Sequence, residues 1–138
     1  MKKTITLIFI STIIFIAIDL LWLGIIVKDF YQQALGHLLL PSFRLIPAIL
    51  FYIIFNIALV VFVIQPGLNE RTFKKTLMLA ILFGLVTYAT YDLTNYATMD
   101  GFPLLIVVID ILWGILLTVM TATLTFFIYR RLTHVDRA

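Results

Sequence analysis

The sequence predicts an all-α fold: an integral membrane bundle of four transmembrane helices with both termini in the cytoplasm. Three observations carry that reading. Of 138 residues, 63% are hydrophobic and 12% charged, whereas a soluble domain carries roughly 45–50% apolar and about 25% charged residues. Four apolar stretches each approach the ~20 residues that a spanning helix needs. The basic residues, giving a net charge of +3, fall in the connections and not in the spans. With a mean hydropathy of +1.14, the chain cannot clothe a core in polar surface, which excludes a soluble globular domain, a disordered chain and a nucleic-acid-binding module. The absence of cysteine excludes disulfides, thiolate metal sites and cysteine nucleophiles.

The first span is expected over about residues 4–27. Lys2 and Lys3 precede it as in a signal peptide, but the run is too long, contains Asp19 and lacks a small-x-small cleavage site, so it is read as retained. Between Lys28 and Arg44, Tyr31, Leu35, Leu38 and Leu39 recur at helical spacing beside polar Gln32, Gln33 and His37. That pattern fits a short interfacial helix or an extension of the first span to Gly36. His37 reads as solvated, and a lone histidine makes no metal site. The second span is expected over about 46–64, with Pro47 in its first turn, where a missing N–H costs little. Pro66-Gly67 followed by Asn69 is expected to end it and to cap the third span, about 76–97. Asp100-Gly101-Phe102-Pro103 makes a tight turn, with Pro103 at the first position of the fourth span, about 104–129.

Under this scheme Lys2, Lys3, Arg71, Lys74, Lys75, Arg130, Arg131 and Arg137 lie on one side of the bilayer, and only Lys28 and Arg44 on the other. The positive-inside bias places both termini in the cytoplasm and argues against a dual-topology protein.

Charged residues within spans are costly and mark function by default. Here they are Asp19, Asp92 and Asp110. At 1.5 Å per residue they lie about 12, 8 and 9 Å below the outer edge of their spans, nearly one level in the outer half of the bilayer. Stripes at helical spacing accompany them: Thr12, Phe15, Asp19 and Trp22; Tyr52 and Asn56; Ala80, Gly84, Tyr88, Tyr91, Asp92 and Asn95; and Asp110, Gly114, Thr118, Thr121 and Thr125. These stripes are expected to turn inward around a polar chamber, with Arg44 at its mouth. Asp19-Leu20-Leu21-Trp22 and Asp110-Ile111-Leu112-Trp113 echo one another. Both aspartates fall in the same half of the membrane, so the echo reads as two walls of one site and not as an inverted repeat. Interfacial anchoring is the alternative for Trp22 and Trp113.

Tyr88 through Thr98, Gly101-Phe102-Pro103 and Asp110 through Gly114, together with Asp19 and Trp22, form a combined motif. It resembles the hallmark of a bacterial membrane family catalogued as domain of unknown function 2177. The resemblance spans essentially the whole chain and implies a four-helix inner-membrane protein; it brings no activity, substrate or catalytic residue.

Three functional readings follow, and they leave open whether the protein is an enzyme. In the first, Asp92 and Asp110 act as proton donor and acceptor on a small-molecule or lipid-like ligand. Asp19, Asn56, Tyr88, Tyr91, Asn95 and Arg44 orient that ligand, and Trp22 and Trp113 supply apolar walls. The second is a proton- or cation-coupled small transporter. The third is a non-catalytic membrane subunit whose polar network fixes packing. No metal, cofactor or nucleic-acid partner is expected, and membrane lipid is; Gly24, Gly84 and Gly114 offer contacts either within the bundle or between the protomers of a homodimer, and the sequence leaves that choice open.

Overall fold

The computed structural model describes residues 2–135. Four helices are long and apolar enough to cross a membrane: Lys2–Ile26, Leu45–Asn69, Phe73–Thr98 and Leu104–Thr133. The fourth continues helically to Val135. Among the described residues there is no strand. The spans form an antiparallel ring in which each packs on its sequence neighbours and the first closes on the fourth. Lys3 Nζ donates to Asn69 Oδ1 at 2.7 Å, and Gln65 Nε2 to Thr4 Oγ1 at 2.8 Å. The start of the first span and the turn between the second and third therefore share one end of the bundle with the close of the fourth; we call this the termini end.

Hydropathy cannot sort these helices, since lipid tails are as apolar as leucine; close packing and internal hydrogen bonding must do so. The tightest seam joins the third and fourth spans. A Cβ on Gly84 would lie 2.6 Å from the Gly114 carbonyl oxygen, and one on Gly114 would lie 2.1 Å from the Tyr88 ring. Both glycines thus serve contacts inside the bundle, whereas Gly24 has nothing within 4 Å. The fourth span buries the predicted stripe of Gly114, Thr118, Thr121 and Thr125. In the first span the inward stripe is Leu7, Ser11, Phe15 and Asp19. Ser11 thus takes the place expected of Thr12, because residues four apart stack on one face of the helix. Some hydroxyls point outward without a neighbouring helix: Thr90, Thr94 and Thr98 are exposed, and each donates to the carbonyl four residues earlier.

The second span does not stop at Pro66. It runs as α-helix over Leu45–Leu59, as a π turn over Val60–Ile64 and again as α-helix over Gln65–Asn69. A proline ring clashes with the carbonyl four residues back and lacks a donor. The π turn, closed by Gln65 N–H donating to the Val60 carbonyl, makes room for it. The chain reverses four residues later. Thr72 N–H donates to the Gly67 carbonyl and Arg71 N–H to that of Leu68, the paired bonds of a Schellman motif. Arg71 holds the left-handed position, φ 53°, where a non-glycine residue is disfavoured by about 1–2 kcal/mol. Gly67 lets this turn sit on the third span, since a Cβ there would fall on Thr76 Oγ1. Asn69 does not cap that span; Thr72 occupies the N-cap position without a side-chain cap.

The first span also ends in a π turn, Trp22–Ile26, followed by a break at Val27 (φ −112°, ψ 6°). The separate short helix Lys28–Leu35 follows. Its apolar face, with Phe30, Tyr31, Ala34 and Leu35, packs on Phe102, Ile106, Val107 and Ile111 at the end opposite the termini. It therefore lies across the mouth of the bundle instead of extending the first span. His37 is exposed, its imidazole against Gly101, which takes φ 75° in the turn between the third and fourth spans.

Candidate functional site

Beneath the short helix lies a cavity of about 490 Å³. The first span contributes Asp19 and Leu23, the short helix Tyr31, and the second span Phe51 and Phe55. The third adds Thr87, Tyr88 and Tyr91, and the fourth Asp110 and Trp113. Phe51 and Tyr91 are exposed and form its rim between the second and third spans. Those two spans pack on each other through the π turn and the last turn of the second, toward the termini end.

Asp19 anchors the site. It closes the buried stripe of the first span at 4% exposure. Tyr52 Oη, from the second span, donates to its Oδ2 at 2.8 Å. Trp113 Nε1, from the fourth, approaches Oδ1 at 3.4 Å. One carboxylate thereby ties three spans together with its oxygens held in place, as a buried acid requires. The two Asp-x-x-Trp segments interlock: Asp19 of one accepts from Trp113 of the other, and Trp22 stacks on Trp113 with ring centroids 4.2 Å apart and planes at 7°. Trp113 is buried, so it is a wall of the site and no membrane-surface anchor. Asp110 lines the same cavity, half-buried, and has no hydrogen-bond partner among the described residues.

Asp92 is placed differently. It is fully buried on the face that carries Thr76, Ala80 and Gly84, but it is not in the cavity wall, and neither carboxyl oxygen has a partner among the described residues. The anticipated meeting of three acids is therefore a pair, Asp19 with Asp110, and a third set apart. Asn95 is half-buried and Asn56 fully buried, both outside the wall; Asn56 Nδ2 donates to the Tyr52 carbonyl at 2.9 Å and its Oδ1 is unpartnered. Arg44 is exposed in extended backbone just before the second span and does not reach the cavity. Trp22 stands behind Trp113, its buried Nε1 unpartnered. Tyr88 and Tyr91 are in the wall, as their stripe implies, although Tyr91 is 63% exposed. Among the described residues no three His, Asp or Glu side chains converge as a metal site.

Sequence reasoning missed Tyr31 as a site residue. It lines the cavity that its helix covers, and its Oη is buried without a partner among the described residues. Its spacing with Leu35 and Leu38 was the available signal: a short amphipathic helix between two spans presents that face to the bundle mouth. Phe51 and Phe55 were also missed. They belong to an aromatic group with Phe15 and Tyr52, Phe15 and Phe55 lying 4.8 Å apart between centroids.

No curated protein and no solved structure matches the chain. The model of the family described as Predicted membrane protein (DUF2177) matches residues 4–127, which reaches into all four spans, and the chain belongs to that family.

Proposed function

We propose that this is a multi-pass bacterial inner-membrane protein, N-in and C-in, that binds a small or lipid-like ligand in the cavity of its outer half. The ligand it suits has an apolar body and a hydrogen-bond-donating head, an amine or a hydroxyl. The observation that carries this reading is the unequal state of two acids in one aromatic cavity. Asp19 has its oxygens engaged by Tyr52 and Trp113, while Asp110 is left without a partner. A carboxylate accepts hydrogen bonds, so its complement is a donor, and aromatic walls favour a cationic or apolar body. Asp110, and not Asp92, is then the group that exchanges a proton with the ligand if acid/base chemistry follows. The rim at Phe51 and Tyr91 faces the acyl chains, which favours a ligand arriving sideways from the membrane.

Transport fits less well. Between the cavity and the termini end the interior is filled by Leu7, Leu59, Ile64, Leu117 and Phe126, all without exposed surface. This favours a blind site over a path. Trp113 in the cavity wall and Trp22 stacked behind it are the two tryptophans of the chain, so intrinsic fluorescence reports on the cavity. Titration of the detergent-solubilised protein with decylamine, decanol and decanoate is expected to shift that emission with the first two and not with the acid. Asp110→Asn is expected to weaken the amine response about tenfold, the worth of one charge-assisted hydrogen bond. An equal response in the variant and the parent would refute the assignment.

A further inference from the structure

At the termini end a concavity of about 460 Å³ is lined by Lys3, Arg71 and Arg130 together with Asn69, Tyr129 and Thr133. We propose that it binds the phosphate of an anionic phospholipid, with Lys3, Arg71 and Arg130 as the groups that hold it. This reading is independent of the cavity around Asp19, which lies at the opposite end of the bundle.

Insertion bias accounts for how many cations lie on this side but not for their convergence. The three come from the start of the first span, the turn between the second and third, and the close of the fourth, and among the described residues no carboxylate lines the concavity. The acid nearest in sequence, Glu70, is paired with Lys75. Lys3 is held by Asn69 Oδ1, and the Arg130 guanidinium lies over the Phe126 ring, 5.6 Å from its centroid. Arg71 carries its guanidinium on a left-handed residue, φ 53°, where glycine would close the same turn more cheaply. An outlier of that kind is consistent with a side chain retained for a role of its own, here the binding of phosphate. Guanidinium groups fit phosphate oxygens in pairs, and an ammonium adds a point charge.

What selects a lipid over a free anion is the adjoining surface. A second concavity of about 610 Å³ carries Lys2 and Arg131 at its polar end and continues along Thr6, Ile128 and Leu132. These lie on the first and fourth spans, so an acyl chain running down that face leaves its phosphate at the basic cluster.

The test uses native mass spectrometry of the full-length protein in a neutral maltoside detergent. Dioleoyl phosphatidylglycerol, dioleoyl phosphatidylcholine and inorganic phosphate are titrated separately. Phosphatidylglycerol is expected to be retained about tenfold more tightly than phosphatidylcholine. Arg71→Gly and Arg130→Gln are each expected to weaken that retention about tenfold. Arg71→Gly also keeps or raises the thermal midpoint, because glycine accepts that φ, so lost retention in a folded protein is read as a lost ligand group. Equal retention of the two lipids, or undiminished phosphatidylglycerol binding by both variants, overturns the proposal. Binding of inorganic phosphate without retention of phosphatidylglycerol overturns the lipid as carrier.

Discussion

Gly114 has no room for a side chain, and its neighbours define what a single atom costs there. A methyl group would enter the Tyr88 ring, and the ring has the packed third span behind it. Gly114→Ala is expected to destabilise the bundle by about 1–3 kcal/mol, the usual penalty of overpacking. Gly24→Ala, with open space around it, is expected to be neutral or to stabilise by about 0.5–1 kcal/mol through lost backbone freedom. Thermal unfolding of both variants in one detergent checks the contrast, and similar midpoints would contradict it. A glycine within each of two spans looks alike in sequence; what separates them is whether a neighbouring helix packs against it. The same holds for the aspartates. Their helices, costs and approximate depths follow from spacing and hydropathy, but side-chain direction does not, so Asp92 and Asp110 were indistinguishable until their helices were packed.

Among the elements, the two π turns do the most to set the site. Each widens its helix by one residue and so alters which face the residues beyond it present, by about 100° per residue. In the first span the turn begins at Trp22, whose ring lies flat on Trp113; in the second it makes room for Pro66. Removal of one residue from that turn, such as exposed Val61, returns Pro66 to α register and rotates one half of the span against the other. Such a deletion is expected to cost about 3 kcal/mol or more and to abolish a monodisperse peak on size-exclusion chromatography. Deletion of Ser42, in the irregular segment before the second span, is expected to leave the peak intact. Proline followed by glycine ordinarily signals a helix end, and local chemistry alone supports that expectation. A wide turn upstream of the proline is the tertiary answer to it, and no residue in Val60–Ile64 announces it.

For the molecule as a whole, orientation is the property on which both candidate sites depend, since it sets which faces the outside. The chain has no cysteine, so single cysteines report sidedness cleanly. His37→Cys, near the mouth of the bundle, is expected to react with a membrane-impermeant maleimide in intact cells. Lys74→Cys, in the basic turn region, is expected to react only after lysis. The reverse pattern would move the aromatic cavity to the cytoplasmic half and the basic concavity to the other face. Composition, span length and the placement of basic residues are properties of the chain in its solvent, and they determined the membrane, the four helices and the expected sidedness without a neighbour being specified. The tertiary structure decided which two of three acids share a cavity, that the tryptophans stack and that a short helix covers the cavity. It also decided that Arg44 stands away from the site while Lys3, Arg71 and Arg130 converge. These are contacts between residues far apart in sequence, fixed by backbone approach at Gly84 and Gly114 and by register shifts at the π turns, and no local pattern encodes either.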